Sequence, residues 1–556
     1  MTSPPVLILG AGINGAALAR ELALNGVPVY VVDRGDLASG TTAYSSRLIH
    51  GGLRYLEYGD FALVRESLAE RTRLLHLAGH LVRPLPLFVP IERGNRLGGT
   101  WAAIGRLLGR SKSGRPGKTK PRGLWLVRAG LWFYDRYARD PDLPRHSVHS
   151  VTEEAAVPVD GRRFGWECAF HDAQLRYPER FVVDLLEDAR RMARQTGSEF
   201  QLLTYHQVDR EGVQVELRPV DGGEAAVRFV PAAVVNATGA WVDDALRRLE
   251  VPSPRLMGGT KGSHLLTSHA GLVQALAGRG LYTEADDGRP IFVLPWGRQV
   301  LIGTTDLPFE GDPADAVATP DELKYLVAAV NRVLPQAELT AADIDMHYCG
   351  VRPLPYVDSS TPSAVTRRHW THEHADAPWP LFSEIGGKLT TCRSLAEETA
   401  KLVLNRLGLP LVANSRQRPL PGGVNFPAAD NQQKAACRQL AEQFQLPDAT
   451  VEAACSLLGT RASEALAAAG DGALVPGTPL PRAMVQWVIE QEWPRTLDDL
   501  VERRLMLLYE ASLNVATLRD LARLLAEAGH LSPTNIEASV AATVHRLRTH
   551  FGKVVK

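Results

Sequence analysis

Cysteine is scarce in this chain. Cys168, Cys349, Cys392, Cys437 and Cys455 are odd in number, scattered over 556 residues, and form no CxxC pair. That argues against a disulfide framework or a zinc site and suits a reducing compartment. Net charge is absent too: 62 Lys and Arg balance 62 Asp and Glu. No global field favours nucleic acid, and any basic surface must be local. No apolar run approaches the length of a membrane-spanning helix. The start, Met1-Thr-Ser-Pro-Pro5, enters an apolar stretch without the cationic leader of a secretory signal. A cytoplasmic protein is expected, able to lie on a membrane but not to cross one. Repeats and low-complexity tracts are missing, the apolar (45%) and charged (22%) fractions are ordinary for a globular protein, and the length has room for about two to four domains.

What is present begins at Val6-Leu-Ile-Leu-Gly10-Ala-Gly12-Ile-Asn14-Gly15. A short apolar strand runs into three glycines and then a helix-forming run that Gly26 stops. A second strand, Val27 to Val32, ends on Asp33. This is the dinucleotide-binding fingerprint in its required strand-turn-helix-strand context. Gly10 permits the turn, Gly12 lets the backbone approach a pyrophosphate, and Gly15 lets helix and strand pack closely. The helix N-terminus faces the phosphates with free N–H groups, and Asp33 is placed for the adenosine ribose hydroxyls. No second GxGxxG follows, which points to one tightly held FAD and away from a flavoenzyme that also binds NAD(P)H.

The next segment crowds hydroxyls, glycines and cations together: Thr41, Thr42, Ser45, Ser46, Arg47, His50, Gly51, Gly52 and Arg54. It is suited to running beside an extended phosphate-bearing cofactor and delivering cations to its reactive end; the plainer alternative is a Ser/Gly-rich connector. Val234 to Val242 reads as a buried strand closing on Thr238-Gly239, which offers backbone N–H groups at the same sheet edge. Gly350 and the run Gly386-Gly387-Lys388-Leu389-Thr390 add further glycine turns, the second a candidate N–H nest. Asn14, Leu389 and Thr390 complete the expected cofactor-facing set.

From Arg93 to Tyr134 there is no acid but ten Lys and Arg. Ser111 to Pro121 reads as a loop, flanked by the Trp- and Leu-bearing segments Thr100–Leu108 and Leu124–Tyr134. Cations beside amphipathic, Trp-containing helices suit docking on an anionic bilayer surface; a solvated basic loop between core helices is the competing reading.

Short strands around Lys261–Leu266, Ile291–Trp296 and Val300–Asp306 suggest a largely antiparallel substrate-binding sheet inserted between pieces of the cofactor domain. His369-Trp-Thr-His372-Glu-His374 has a metal-like look, but reads as a Pro-rich polar loop without a matching ligand pair, so no metal is expected. Beyond Leu395, helical periodicity takes over at 434–444, 449–458, 482–492, 497–512, 515–528 and 535–551. The expected class is therefore α/β: a Rossmann-like FAD-binding domain with an inserted antiparallel sheet over residues 1–398, and a C-terminal α-helical domain over 409–556.

The ordered series Gly10-x-Gly-x-x-Gly15, Ser45-Ser-Arg-Leu-Ile-His-Gly-Gly-Leu-Arg54-Tyr55, Val82-Arg-Pro-Leu-Pro-Leu, Asn236-Ala-Thr-Gly-Ala-Trp241, Lys261-Gly-Ser-His264, Gly303-Thr-Thr-Asp306, Gly350-Val-Arg-Pro-Leu354 and Gly386-Gly-Lys-Leu-Thr-Thr391 resembles the membrane-associated FAD-dependent glycerol-3-phosphate dehydrogenases of the D-amino-acid-oxidase-like flavoproteins. The likeness covers nearly the whole chain, with the insertion at 111–121 a departure from the family pattern. It implies oxidation of sn-glycerol 3-phosphate to dihydroxyacetone phosphate through non-covalent FAD to a membrane quinone. It further implies peripheral attachment to the inner face of the cytoplasmic membrane and is compatible with a homodimer. A phosphate dianion needs more than one cation, for which Arg54, Arg352 and Lys388 are the candidates, with Tyr55 and Thr390 beside them. His264 is the natural general base because its unperturbed pKa lies near working pH; orienting the substrate without taking the proton is its other reading. An oxidase that passes electrons to oxygen and a FAD-containing regulatory protein without turnover are the rival functions.

Overall fold

The computed structural model describes residues 3–53, 60–93, 123–138, 140, 143–220, 222, 225–356, 368–468 and 472–556. The strand Val6–Leu9, buried at every position, leads into the helix Ile13–Leu24 and the strand Val29–Val32. Such a strand can be uniformly apolar because a parallel sheet is covered on both faces. Val6 stands opposite Ala233 on one side and Val29 on the other, both in parallel register. The sheet has six strands in the order Trp370–His374, Leu381–Ile385, Ala233–Asn236, Val6–Leu9, Val29–Val32 and Phe200–Leu203. All run parallel except the edge strand Trp370–His374. Helices Ile13–Leu24, Pro178–Thr196 and Cys392–Leu407 pack together beside it, pinned by the buried pair Arg20–Asp188 at 2.7 Å. The carboxyl ends of the parallel strands thus open on one edge, where ligands of such sheets bind.

The second sheet has ten strands, eight in its main run and two that pair beside it. Only Gly280–Glu284 against Val82–Glu92 is parallel; the other pairs, from Leu48–Ile49 to Leu307–Pro308, are antiparallel. Met257–Thr267 is the strand that matters for the site. It takes Gln299–Gly303 on one side and Met346–Pro355 along its length on the other. Leu265, Val293, Val300 and Ile302 pack under the helix Pro320–Val333, whose start is fixed by a Thr319/Glu322 capping box.

The C-terminal part is helical at Asp430–Phe444, Asp448–Leu458, Ala462–Ala467, Arg482–Gln491, Val515–Glu527 and Ile536–Phe551. The continuous helix expected over 497–512 is not there. A short turn at Leu497–Asp499 widens into a π-helical turn at Leu500–Arg504, Met506 is left-handed at φ 56°, and a 3-10 turn spans Leu507–Tyr509. Side-chain demands explain the break. The wide turn brings the successive Arg503 and Arg504 onto the single carboxylate of buried Asp36 at 2.6–2.7 Å. Burial alone would raise the Asp36 pKa, but Arg504 and Arg503 hold it below the usual range. Tyr509 meanwhile reaches the buried guanidinium of Arg47, and Arg180 pairs with Glu492. Buried ion pairs, expensive to break, therefore lock the helical part onto the segment after the second strand, through Asp36, and onto the helix Pro178–Thr196, through Arg180.

Candidate active site

A cavity of about 2060 Å3 runs from the carboxyl edge of the six-stranded sheet to the strands Met257–Thr267 and Met346–Pro355. Pockets for single small ligands are typically about 300–1,000 Å3, so this one holds an extended ligand with room beside it. At the sheet edge, Gly10 (φ 97°) leaves no space for a side chain, since a Cβ there would lie 2.7 Å from the Ala237 carbonyl oxygen. A Cβ on Gly15 would collide with the Gly10 carbonyl, which is the close helix–strand packing expected of the third glycine. Gly12 is different: a Cβ would touch only the Thr42 hydroxyl, at 3.4 Å. Its bareness serves the cavity, where the backbone can approach a pyrophosphate. Asp33 accepts N–H bonds from Ala11 (2.7 Å) and Gly35 (2.9 Å); burial raises its pKa and those two donors oppose the rise. One lone pair on each oxygen remains for ribose hydroxyls. The chain's residues therefore fit an adenine dinucleotide.

The hydroxyls of the second segment are largely spent on the protein itself. Thr41 donates to the Val351 carbonyl (2.6 Å), Thr42 accepts from the Ile13 N–H (3.1 Å), and Ser45 donates to the Thr42 carbonyl (3.3 Å). They line the cavity, but they shape its wall. The Thr238 hydroxyl donates to Asn236 at 2.7 Å, and Gly239 turns left-handed at φ 61°. Gly387 (φ 104°) lies against Asn14, whose amide donates to the Gly386 carbonyl at 3.4 Å. The Thr390 hydroxyl accepts from the His50 N–H at 3.1 Å, tying two wall segments together. Gly350 packs on Tyr44, while Leu389 and Lys388 line the cavity. Gly51 and Gly52 do not belong to the lining. The Gly51 N–H donates to Tyr134 and Asp172, and a side chain on Gly51 would strike Leu68 and Tyr134. Gly51 is a packing glycine behind the wall.

The end beside the strands Met257–Thr267 and Met346–Pro355 gathers the reactive residues. His264, Arg352 and Lys388 all face the same cavity, although far apart in sequence. Arg352 donates to Asp306 (2.9 Å), the Thr304 hydroxyl (2.8 Å) and the Thr305 carbonyl (3.0 Å). His264 lies 2.8 Å from the Ser46 hydroxyl and stacks on Tyr348 with 5.0 Å between ring centroids. Its pKa does not stay near working pH. Burial, with Arg352 and Arg47 adding to it, pushes it down to about 3. The imidazole is consequently neutral. Arg54 and Tyr55 lie outside the described residues.

Sequence reasoning overlooked several members of this end. Tyr348 is two positions from Gly350 on the same strand, so period-two alternation put it within reach. Asp306, which orients Arg352, lay in a quoted motif without a role. Arg546 and His550, from the last helix, also line the cavity; nothing in the local sequence signals that. The His369–His374 segment is corrected: residues 370–374 form an edge strand, not a loop, and His374 bonds the Ser383 hydroxyl at 2.9 Å.

On the outer face, the helix Leu124–Ala138 buries Leu124, Val127, Leu131 and Tyr134 and exposes Trp125 (53%), Trp132 (56%) and Phe133 (45%). Arg128 lies over the Trp125 ring at 5.0 Å. The basic loop at 111–121 and the segment 100–108 lie outside the described residues. Among the described residues no helix is long and apolar enough to cross a membrane.

A family model described as "FAD dependent oxidoreductase" matches residues 5–391, and one described as "C-terminal domain of alpha-glycerophosphate oxidase" matches residues 413–535. A glycerol-3-phosphate dehydrogenase of Synechocystis is 33% identical over 90% of this chain and 88% of its own length. The aerobic glycerol-3-phosphate dehydrogenase of Escherichia coli is 30% identical over 91% and 94%. A D-erythritol 1-phosphate dehydrogenase of Brucella abortus is 31% identical over 90% and 93%. Among solved structures, a Bacillus halodurans glycerol-3-phosphate dehydrogenase complexed with FAD superposes with TM-score 0.73 at 20% identity, over 98% of this chain and 94% of that one.

Proposed function

Because the chain belongs to the FAD dependent oxidoreductase family, we propose that it oxidises sn-glycerol 3-phosphate to dihydroxyacetone phosphate and delivers the electrons to a membrane quinone. The observation that carries this reading is the end of the cavity lined by His264 and Arg352. There a neutral imidazole and a guanidinium fork face the same space beside the dinucleotide cradle. Bound FAD supplies the two-electron acceptor, held by Gly10, Gly12, Asn14 and Asp33 with the Thr238–Gly239 and Gly387–Thr390 turns.

Arg352 and Lys388 bind the phosphate, with Arg54 and Tyr55 in the roles the resemblance gives them. A neutral His264 is the base for the C2 hydroxyl. Burial is the main cause of its depressed pKa, and a phosphate dianion beside Arg352 offsets only the smaller contribution of that charge. Residues 1–398 hold the chemistry and 409–556 form a helical cap. The exposed Trp125, Trp132 and Phe133 rest on the inner face of the cytoplasmic membrane, where a quinone is within reach.

The kinship of the C-terminal part to an oxidase domain favours a second reading, transfer to oxygen. Comparing turnover with a soluble quinone analogue against peroxide formation in air separates the two. The proposal predicts fast quinone reduction and little peroxide; the reverse makes the protein an oxidase. Running the same assay with erythritol 1-phosphate tests the substrate, and a higher specificity constant for the longer polyol would displace glycerol 3-phosphate.

A further inference from the structure

We propose that the Ser46 hydroxyl takes the proton of the substrate alcohol and hands it to His264, so that the base is reached through a relay. This rests on the reading in which His264 is the general base. His264 is 2% exposed and stands in the middle of three strands, with Gly303 opposite it on one side and Tyr348 on the other. Tyr348 stacks on the ring, and a side chain on Gly303 would strike it. The ring is therefore clamped on both faces.

An imidazole nitrogen has a single in-plane position for a hydrogen bond. At Nε2 that position is taken by the Ser46 hydroxyl, at 2.8 Å. Nδ1 is fully buried, so a substrate cannot reach the ring from that side either. Ser46, by contrast, is only half-buried and lines the cavity. A substrate hydroxyl entering from the cavity meets Ser46 Oγ first.

The loop that presents Ser46 is held on both flanks. The Tyr348 hydroxyl donates to the Ser45 carbonyl at 2.8 Å, so the residue that stacks on the base also positions its partner. On the other flank Arg47, buried and left-handed at φ 56°, donates to Glu179 (2.7 Å) and to the Arg176 (2.9 Å) and Ala43 (3.2 Å) carbonyls. Burial, with Arg352 and Arg47 adding to it, keeps the imidazole neutral. With its proton on Nδ1, Nε2 accepts from Ser46.

The step balances. The C2 hydroxyl gives its proton to Ser46 Oγ as Ser46 gives its own to His264 Nε2. The C2–H electron pair leaves with its hydrogen as hydride to the bound flavin, and C2–O becomes a carbonyl. The substrate is oxidised by two electrons, the flavin is reduced by two, and the imidazolium later returns its proton to water. Two protons move where direct abstraction would move one.

The test uses FAD-loaded enzyme, with FAD content checked by absorbance, mixed anaerobically with glycerol 3-phosphate in H2O, D2O and their mixtures. Ser46→Ala is expected to slow limiting flavin reduction about 100-fold while substrate affinity stays within about threefold. Ser46→Thr, which keeps the hydroxyl, is expected to recover most of the rate. A bowed dependence on deuterium fraction in the wild type, linear in Ser46→Ala, is the signature of two protons against one. Ser46→Ala reducing its flavin at the wild-type rate, or Ser46→Thr as slow as Ser46→Ala, overturns the relay. His264→Ala measured alongside distinguishes the failures. If His264→Ala is slow and Ser46→Ala is fast, only the relay falls; if His264→Ala is fast, the base assignment falls first.

Discussion

Arg352 is paired with Asp306 at 2.9 Å while its second amino group is held by Thr304 and Thr305. Each of the two side chains keeps about a quarter of its surface exposed to the cavity, 26% and 28%. Asp306, the Thr304 hydroxyl and the Thr305 carbonyl fix the fork in the cavity wall. Removing a cation from a desolvated phosphate site costs on the order of 3–5 kcal/mol, and here the phosphate would also face Asp306 uncompensated. Arg352→Leu should lower kcat/KM for glycerol 3-phosphate at least about a hundredfold, since about 1.36 kcal/mol is tenfold. Turnover of unphosphorylated glycerol should hardly move. Equal losses for the two substrates would make Arg352 a support of the sheet.

Three segments meet over the cofactor end of the cavity. Asp312 accepts from Trp241 Nε1 (2.8 Å) and from Arg34 (3.1 Å), and the Arg34 guanidinium lies 4.8 Å over the Trp241 ring. The ion pair is exposed, so it contributes little alone, about 0.2–1 kcal/mol; the indole bond adds to it. Asp312→Ala should speed FAD loss on dilution into chaotrope roughly tenfold, read as rising flavin fluorescence, with kcat of the loaded enzyme unchanged. Unaltered release would show that this contact does not retain the cofactor.

Glu384 is buried at the end of the strand Leu381–Ile385, and burial pushes its carboxyl up to about 7. A raised folded-state pKa means that the native state binds the proton more tightly than the unfolded chain, so stability falls as pH rises. The window runs from about 4.5, the ordinary value, to about 7. Glu384→Gln removes the cost of ionising there. The variant should melt higher than wild type at pH 8, with the difference shrinking toward pH 5. A pH-independent difference would mean that Glu384 is not protonated in the native state.

The dinucleotide cradle was legible because its chemistry is local. Three glycines and an acid at fixed spacing bring their own strand and helix with them, and Gly10, Gly15 and Asp33 stand where that spacing puts them. The substrate end was legible only as separate motifs. What unites His264, Ser46 and Tyr348 is pairing across strands and a loop some 200 residues away in sequence, which no local pattern carries. Periodicity misled at 497–512, where apolar spacing looked helical but Arg503, Arg504 and Tyr509 are drawn to buried partners in the first domain. It failed in the other direction at His369–His374, where polar composition hid an edge strand.

The proposed membrane contact rests on the helix Leu124–Ala138. Trp125 and Trp132 are exposed large aromatics on the face opposite the buried Leu124, Val127 and Leu131. Replacing both with serine should weaken pelleting with anionic vesicles, and replacing Lys112, Arg115, Lys118 and Lys120 together should weaken it further and make it less salt-dependent. Partitioning that neither change alters would assign the helix face to another partner.

On the proposed function, this cavity oxidises glycerol 3-phosphate at a bound flavin. The most direct measurement is the visible absorbance of the purified, FAD-loaded protein on anaerobic addition of glycerol 3-phosphate. Complete bleaching of the oxidised flavin band within a turnover, with stoichiometric dihydroxyacetone phosphate, is the predicted result. A flavin that stays yellow with glycerol 3-phosphate yet bleaches with dithionite would contradict the account.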